Sequence, residues 1–152
     1  LTIIGSSRVE DKNCELIEDY IKQSHIKSNI NIVKNMENSK LKEEISKYDV
    51  FVLPSYNEPA SYSNLEAMAS ALPVIVSDDN GTACYLKEGE NGYLFKKNNL
   101  NSLKQSIEKF IDKKNKTINW EKINNFGENS FLITKNNHNP KSLIEKYIFI
   151  LS

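Results

Sequence analysis

Two glutamates, Glu58 and Glu66, are separated by seven residues in the stretch Pro54-Ser55-Tyr56-Asn57-Glu58-Pro59-Ala60-Ser61-Tyr62-Ser63-Asn64-Leu65-Glu66-Ala67-Met68. An ionised carboxylate only accepts hydrogen bonds and can take two neighbouring hydroxyls at once, so such a pair suits a hydroxyl-rich ligand. The stretch follows the apolar run Val50-Phe51-Val52-Leu53 and opens a helical segment. A helix start presents unpaired backbone N–H groups, which favour a phosphate or another anion. A purely structural account fits the same residues. Ser63-Asn64-Leu65-Glu66 has the form of a capping box, in which Glu66 bonds back to the Ser63 N–H, and Glu58 is then a solvated loop residue.

The elements that would position these groups alternate between short apolar runs and amphipathic stretches, the pattern of a parallel sheet covered by helices. Strands are expected at 1–4, 29–33, 49–53, 73–76 and 93–95. Helices are expected at 11–23 and at 39–48, the latter with Ser39 as N-cap and Leu41, Ile45 and Tyr48 on one face. Further helices are expected at 63–71, briefly at 82–87, at 101–112 with Leu103, Ile107 and Phe110 inward, around Trp120, and from Ser142 to Leu151. Asn80-Gly81 and Asn91-Gly92 read as turns. The resulting fold class is α/β, a Rossmann-like doubly wound parallel sheet with helices on both faces and C-terminal helices, forming one domain over 1–152. Ligands of such sheets bind beyond the carboxyl ends of the strands. The loops after Ile4, Val33, Leu53 and Val76 therefore form the candidate rim.

The composition narrows the chemistry. Lysine plus arginine equals aspartate plus glutamate over 152 residues. A balanced charge gives no footing for nucleic-acid binding, which wants a basic surplus or stripe. Cys14 and Cys84 form no CxxC pair and read as buried, reduced thiols. His25 and His138 stand alone, so no metal site is expected. No apolar run approaches the roughly 20 residues of a membrane helix. The chain opens inside the apolar run Leu1-Thr2-Ile3-Ile4-Gly5, as expected of a fragment of a longer protein.

The block "LPSYNEPASYSNLEAMASALPVIVSD" followed by "NGTACYLKEGENGYLF" resembles the donor-site signature of the retaining GT-B glycosyltransferases, in the large bacterial surface-polysaccharide family termed glycosyl transferases group 1. The resemblance rests on Glu58 and Glu66 together with Pro54-Ser55, Glu66-Ala67-Met68, Pro73-Val74 and Gly92 in one register. It extends over Leu1 to Asp112 and is sharpest from Val50 to Phe95. It implies one half of a GT-B fold, binding a nucleotide-sugar, UDP-linked in preference to GDP-linked. The other, N-terminal half would hold a saccharide or lipid-linked saccharide acceptor. Carried over by position, Glu66 would accept hydrogen bonds from the ribose hydroxyls. Glu58 would contact the donor sugar and orient it for transfer. The backbone N–H groups of Ala60, Ser61 and Tyr62 would approach the sugar and diphosphate.

Gly5 matches a glycine at which backbone approaches the nucleotide, and Met36, with Lys34 and Asn35, would border the base. The resemblance implies no cofactor and no divalent metal, the departing diphosphate being stabilised by basic side chains and helix dipoles. It implies a cytoplasmic enzyme whose parent associates peripherally with the inner face of the membrane where acceptors are lipid-linked.

Departures from the family pattern are equally specific. The basic pair that grips the diphosphate belongs to a segment before Leu1, and Arg8, the sole arginine, either adds charge to the rim or is a surface residue. Pro59-Ala60-Ser61 replaces glycine-rich text. Ala71 stands where glycine is common, a replacement that is unstrained only if φ is negative. Tyr56 and Tyr62 either touch the sugar or pack. Trp120, Phe126 and Phe131 read as packing residues, with "INWEKI" resembling the helix that crosses back to an N-terminal domain. Two other readings of the architecture, a nucleotide-sugar epimerase and a receiver-like signalling domain, lack support. The first does not carry the two-glutamate block, and the second needs an acceptor aspartate where this chain has Leu53-Pro54-Ser55.

Overall fold

Short runs of β-branched and aromatic residues become parallel strands wherever a helical crossover returns the chain to the same end. The computed structural model describes residues 1–5, 12–55, 57–139 and 144, which fall into two compact units, Leu1–Glu43 and Glu44–Ser152. In the first unit β1 (Thr2–Gly5) pairs in parallel with β2 (Asn31–Lys34), from Thr2 opposite Asn31 to Gly5 opposite Lys34. Helix α1 (Lys12–Gln23) and a 3₁₀ turn at Lys27–Asn29 make the crossover. Helix α2 (Asn38–Ile45) starts one residue before the expected cap Ser39. The Glu37 carbonyl accepts from the N–H groups of Lys40 and Leu41 at 2.9 and 3.1 Å, so Ser39 lies within the first turn.

In the second unit β3 (Phe51–Leu53), β4 (Val74–Ser77) and β5 (Gly92–Phe95) form a parallel sheet in the order β3-β4-β5. The predicted parallel strands are all present, hydrogen-bonded among the described residues as one pair and one triplet. Central β4 is buried throughout, with Val74, Ile75 and Val76 wholly inaccessible. Ile75, opposite Val52 and Tyr93, faces a cluster of Phe95, Phe110, Ile123 and Phe126. The rings of Tyr93, Phe110 and Phe126 lie 5.3–5.6 Å apart in edge-on and tilted arrangements. Such geometry adds to an apolar burial of about 2–3 kcal/mol per side chain.

Helix α3 (Tyr62–Ala69) packs on β3 and β4 and ends with two reinforcing bonds. The Ala71 N–H donates to the Met68 carbonyl and the Leu72 N–H to the Ala67 carbonyl, both at 3.1 Å. This Schellman closure needs a left-handed residue after the cap, and Ala71 takes it at φ +59°. The condition of negative φ is thus not met, and the alanine stays strained because the turn must deliver Pro73 directly into β4. Helix α5 (Trp120–His138) closes the opposite rim, at the amino ends of β4 and β5. A Cβ on Gly127 would stand 2.2 Å from the Ala71 carbonyl oxygen, so only glycine permits this approach. Three residues on, the Ser130 hydroxyl donates to the Asn91 carbonyl at 3.2 Å.

Other expectations need correction. Helix α4 (Leu100–Glu108) stops early, and Ile111–Asp112 and Thr117–Ile118 form an antiparallel hairpin, β6 and β7. The Asp112 carboxylate accepts the Lys114 N–H at 2.8 Å and thereby turns the chain. Phe110 is buried as expected, but Ile107 is 43% exposed because the helix ends before its face is covered. Phe126 packs in the core, whereas Trp120 and Phe131 are 51% and 42% exposed. Both border a cavity of about 410 Å³ with Tyr48, Leu72 and Ile123. Cys84 is exposed and not in a disulfide, since it sits on a surface 3₁₀ turn, Gly81–Tyr85; the side chain of Cys14 is not among those described. Apart from Ile144, the helix expected from Ser142 to Leu151 lies outside the described residues. No helix among the described residues is long and apolar enough to cross a membrane.

Replacing Ala71 by glycine is expected to raise stability by about 1 kcal/mol, because it relieves the left-handed strain. Gly127→Ala is expected to lower stability by about 1–3 kcal/mol through backbone collision. Urea unfolding midpoints at unchanged slope would measure both.

Candidate functional site

The loop from Pro54 to Ser61 leaves β3 at its carboxyl end and is laid alongside the residues that leave β4. The Ser77 hydroxyl donates to the Ser55 carbonyl. Two residues on, the Asn57 N–H donates to Asp79 Oδ2 at 2.9 Å. Glu58 then forms a parallel bridge with Asn80, and the Gly81 N–H donates to the Glu58 carbonyl at 2.8 Å. Parallel pairing thus continues past the ends of the strands, and the backbone of Glu58 is fixed. A Cβ on Gly81 would lie 1.8 Å from the Pro59 carbonyl oxygen, so this junction requires glycine. Asn57 adopts φ +53°, which asparagine tolerates better than most residues.

The N-terminus of α3 corrects the capping-box reading. The cap is Ser61, whose hydroxyl accepts the Asn64 N–H at 3.2 Å and lies 2.9 Å from the Ser63 hydroxyl. Glu66 is therefore two residues too far along to serve as the box's returning carboxylate, a position that Asn64 occupies. It is exposed, Glu58 is half-buried, and among the described residues neither carboxylate has a hydrogen-bond or ion-pair partner. The backbone N–H groups of Ala60, Ser61 and Tyr62 also make no hydrogen bond among the described residues. Two free carboxylates thus flank a set of free N–H donors at a helix N-terminus. One end of this arrangement accepts from hydroxyls, and the other favours an anion. Tyr62 is 78% exposed, on the surface rather than in the core. Tyr56 lies outside the described residues.

Behind the loop, four polar residues that the sequence did not single out as site residues hold the arrangement. The buried Asn64 side chain donates through Nδ2 to the Thr82 hydroxyl at 2.9 Å. The Thr82 hydroxyl donates in turn to Asn80 Oδ1 at 2.7 Å, and the Thr82 N–H donates to the same oxygen at 2.9 Å. Asp79 carries the fourth contact, to Asn57 and to Lys97 at 3.2 Å. The Asn57 N–H first, and the Lys97 ammonium second, hold the Asp79 carboxyl below its ordinary value. The Asn80-Gly81 turn signal marked the position of this loop; nothing in the spacing marked its partners.

The remaining predicted residues belong to the first unit. Gly5 ends β1 with open space where a side chain would be, and its carbonyl accepts the Asn35 N–H at 2.9 Å. Met36 is half-buried in the loop after β2, next to Asn35 at φ +53°. Arg8 lies outside the described residues.

The sequence profile of a family described as "Glycosyl transferases group 1" matches residues 1–132. The chain belongs to the group 1 glycosyltransferases. Over 87 residues it is 37% identical to the UDP-Gal:alpha-D-GlcNAc-diphosphoundecaprenol alpha-1,3-galactosyltransferase of Escherichia coli, covering 57% of this chain and 22% of that protein. It is 28% identical over 115 residues to the capsular polysaccharide biosynthesis glycosyltransferase CapM of Staphylococcus aureus, covering 74% of this chain and 28% of the relative. The crystal structure of Anabaena Alr3699/HepE in complex with UDP superposes with a TM-score of 0.82 over 99% of this chain and 40% of that one, at 14% identity. The last likeness establishes the Rossmann-like α/β fold. This group 1 glycosyltransferase chain spans only about a quarter of the length of the curated relatives it matches.

Two outcomes test the site's construction. Ser61→Ala is expected to lower stability by about 1 kcal/mol through loss of the cap. Glu66→Ala should leave stability within about 0.5 kcal/mol, because the carboxylate has no partner among the described residues to lose. Thermal unfolding of both variants checks this. Asp79 adds a pH dependence. Its folded pKa is depressed, so its contribution is present above the unfolded value of about 3.9 and is lost as pH falls through the folded value. Melting temperatures from pH 7 down to pH 3 should therefore fall less in Asp79→Ala than in the wild type.

Proposed function

We propose that this chain is the donor-binding part of a retaining glycosyltransferase that uses a UDP-sugar in the synthesis of a surface polysaccharide. The observation that carries the reading is the pair Glu58 and Glu66, both without partners among the described residues, around the N–H groups of Ala60, Ser61 and Tyr62, which are likewise free among them. In this reading Glu66 accepts the two ribose hydroxyls of the nucleotide and Glu58 accepts hydroxyls of the transferred hexose. The N–H groups and the dipole of α3 face the diphosphate, where charge develops as the glycosidic bond breaks. The family resemblance gives Gly5, Met36 and Arg8 parts on the nucleotide side. Support for the choice of nucleotide comes from the UDP and UDP-glucose complexes of the Anabaena protein and from the UDP-Gal donor named for the Escherichia coli relative. The polysaccharide context is supported by that relative and by the capsular enzyme.

In the complete enzyme the bond between the anomeric carbon and the diphosphate oxygen breaks, and a bond to an acceptor hydroxyl oxygen forms on the same face. The acceptor's proton passes to the departing phosphate. The protein supplies alignment and electrostatic stabilisation in this scheme, and no metal takes part. The acceptor, a saccharide free or lipid-linked, is held by a further domain of a cytoplasmic enzyme that works at the inner face of the membrane.

Calorimetric titration of the chain with UDP, GDP and ADP tests the reading. Saturable binding of UDP, weakened about tenfold or more in a folded Glu66→Ala variant, is the expected outcome. A folded chain that ignores all three nucleotides at millimolar concentration would sink the proposal. The chain alone is expected to show no sugar transfer, because alignment of the acceptor is missing; a radiolabelled donor assay checks this.

A further inference from the structure

The segment leaving β4 touches both halves of the candidate site. On one side Asp79 holds the Asn57 N–H, and Asn80 and Gly81 pair with the Glu58 backbone. On the other side the Thr82 hydroxyl, which donates to Asn80, accepts from the Asn64 side chain, which stands within α3 two residues before Glu66. Four consecutive residues therefore join the loop bearing Glu58 to the helix bearing Glu66. The join is polar although it is buried: Asn64, Asn80 and Thr82 are each no more than 5% exposed. It is also incomplete, since Asn64 Oδ1 and Asn80 Nδ2 have no partner among the described residues. A buried, half-satisfied polar network stabilises less than apolar packing of the same volume, but its directional bonds fix geometry that apolar contacts leave loose. Here the geometry fixed is that between the two glutamates.

We infer that residues 79–82, with Asn64, form a positioning clamp that sets the placement of Glu58 relative to Glu66 and so determines how well the site discriminates a nucleotide-sugar from the bare nucleotide. The inference rests on the donor-site reading. A ligand held by Glu66 and α3 alone is insensitive to the clamp. A ligand that spans both glutamates needs it.

The test compares UDP with UDP-glucose by calorimetry on the 152-residue chain and its variants. Thr82→Val keeps the side-chain volume but removes the hydroxyl that links Asn64 to Asn80. Asp79→Ala frees Asn57 from a half-buried position outside the buried network, and so tests the clamp even if Thr82→Val fails to fold. Thr82→Ser retains the hydroxyl. In Thr82→Val and Asp79→Ala, affinity for UDP-glucose relative to UDP should fall about tenfold, roughly one hydrogen bond's worth, with UDP itself within about twofold. Thr82→Ser should restore the wild-type ratio. A merely structural role would lower the melting temperature and leave the ratio unchanged in folded protein, and that result overturns the clamp alone. A wild-type chain that binds neither ligand overturns the donor-site reading, and the clamp falls with it. Binding of UDP without UDP-glucose overturns the assignment of Glu58 to the sugar, and the clamp likewise.

Discussion

The complete burial of β4 is the constraint from which the rest of the second unit follows. A strand inaccessible on both faces has to be covered by helices and flanked by partners along its length, and β3, β5, α3 and the aromatic cluster supply that cover. Because Val74, Ile75 and Val76 cannot shift without opening the core, the chain leaves β4 at one place and in one direction. Ser77, Asp79, Asn80 and Gly81 then reach the β3–α3 loop in register and hold it. The placement of the β3–α3 loop derives from the rigidity of the strand behind it.

The two rims of this sheet are built differently. At the amino ends of the strands, α5 comes close enough that Gly127 admits no side chain, and Ser130 ties it to Asn91. At the carboxyl ends, backbone donors and carboxylates are left without partners among the described residues. A folded chain pairs nearly all of its buried polar groups, and the exceptions collect where another molecule satisfies them. Ala60, Tyr62 and Glu66 are exposed and Glu58 is half-buried, so leaving their groups unpaired costs little before a ligand arrives; Ser61 alone is buried. The strain at Ala71 belongs to the other rim, where the turn from α3 into β4 leaves no room for an alternative backbone path.

How much of this was legible beforehand depended on the distance over which each feature is decided. Strand and helix types are set by local apolar periodicity, and the parallel strands and their crossover helices were read correctly, with ends moved by a few residues. The family, too, was legible, because it is carried by one contiguous block around Glu58 and Glu66. Features decided by long-range neighbours were not. The Ser-x-x-Glu text is local and offers Ser63 as the cap of α3. Ser61 takes the role because the loop's attachment to residues 79–81 brings the chain into α3 two residues earlier. The end of α4 and the β6–β7 hairpin were likewise missed, since Phe110 continues the helical spacing while its burial depends on Tyr93 and Phe126.

The sequence by itself determined the family and the fold class and marked the two glutamates as candidates, since residue type and spacing within one segment suffice for that. Only the tertiary structure decided that Glu66 is free rather than a capping residue, and that Ala71 sits at positive φ. Only it showed that Asn64, Asp79, Asn80 and Thr82 stand behind the site. The physical reason is the same in each case. A hydrogen bond between residues 18 or 22 positions apart, as in Asn64 to Thr82 and Asn57 to Asp79, exists only once β3 and β4 are paired, and no local pattern encodes it.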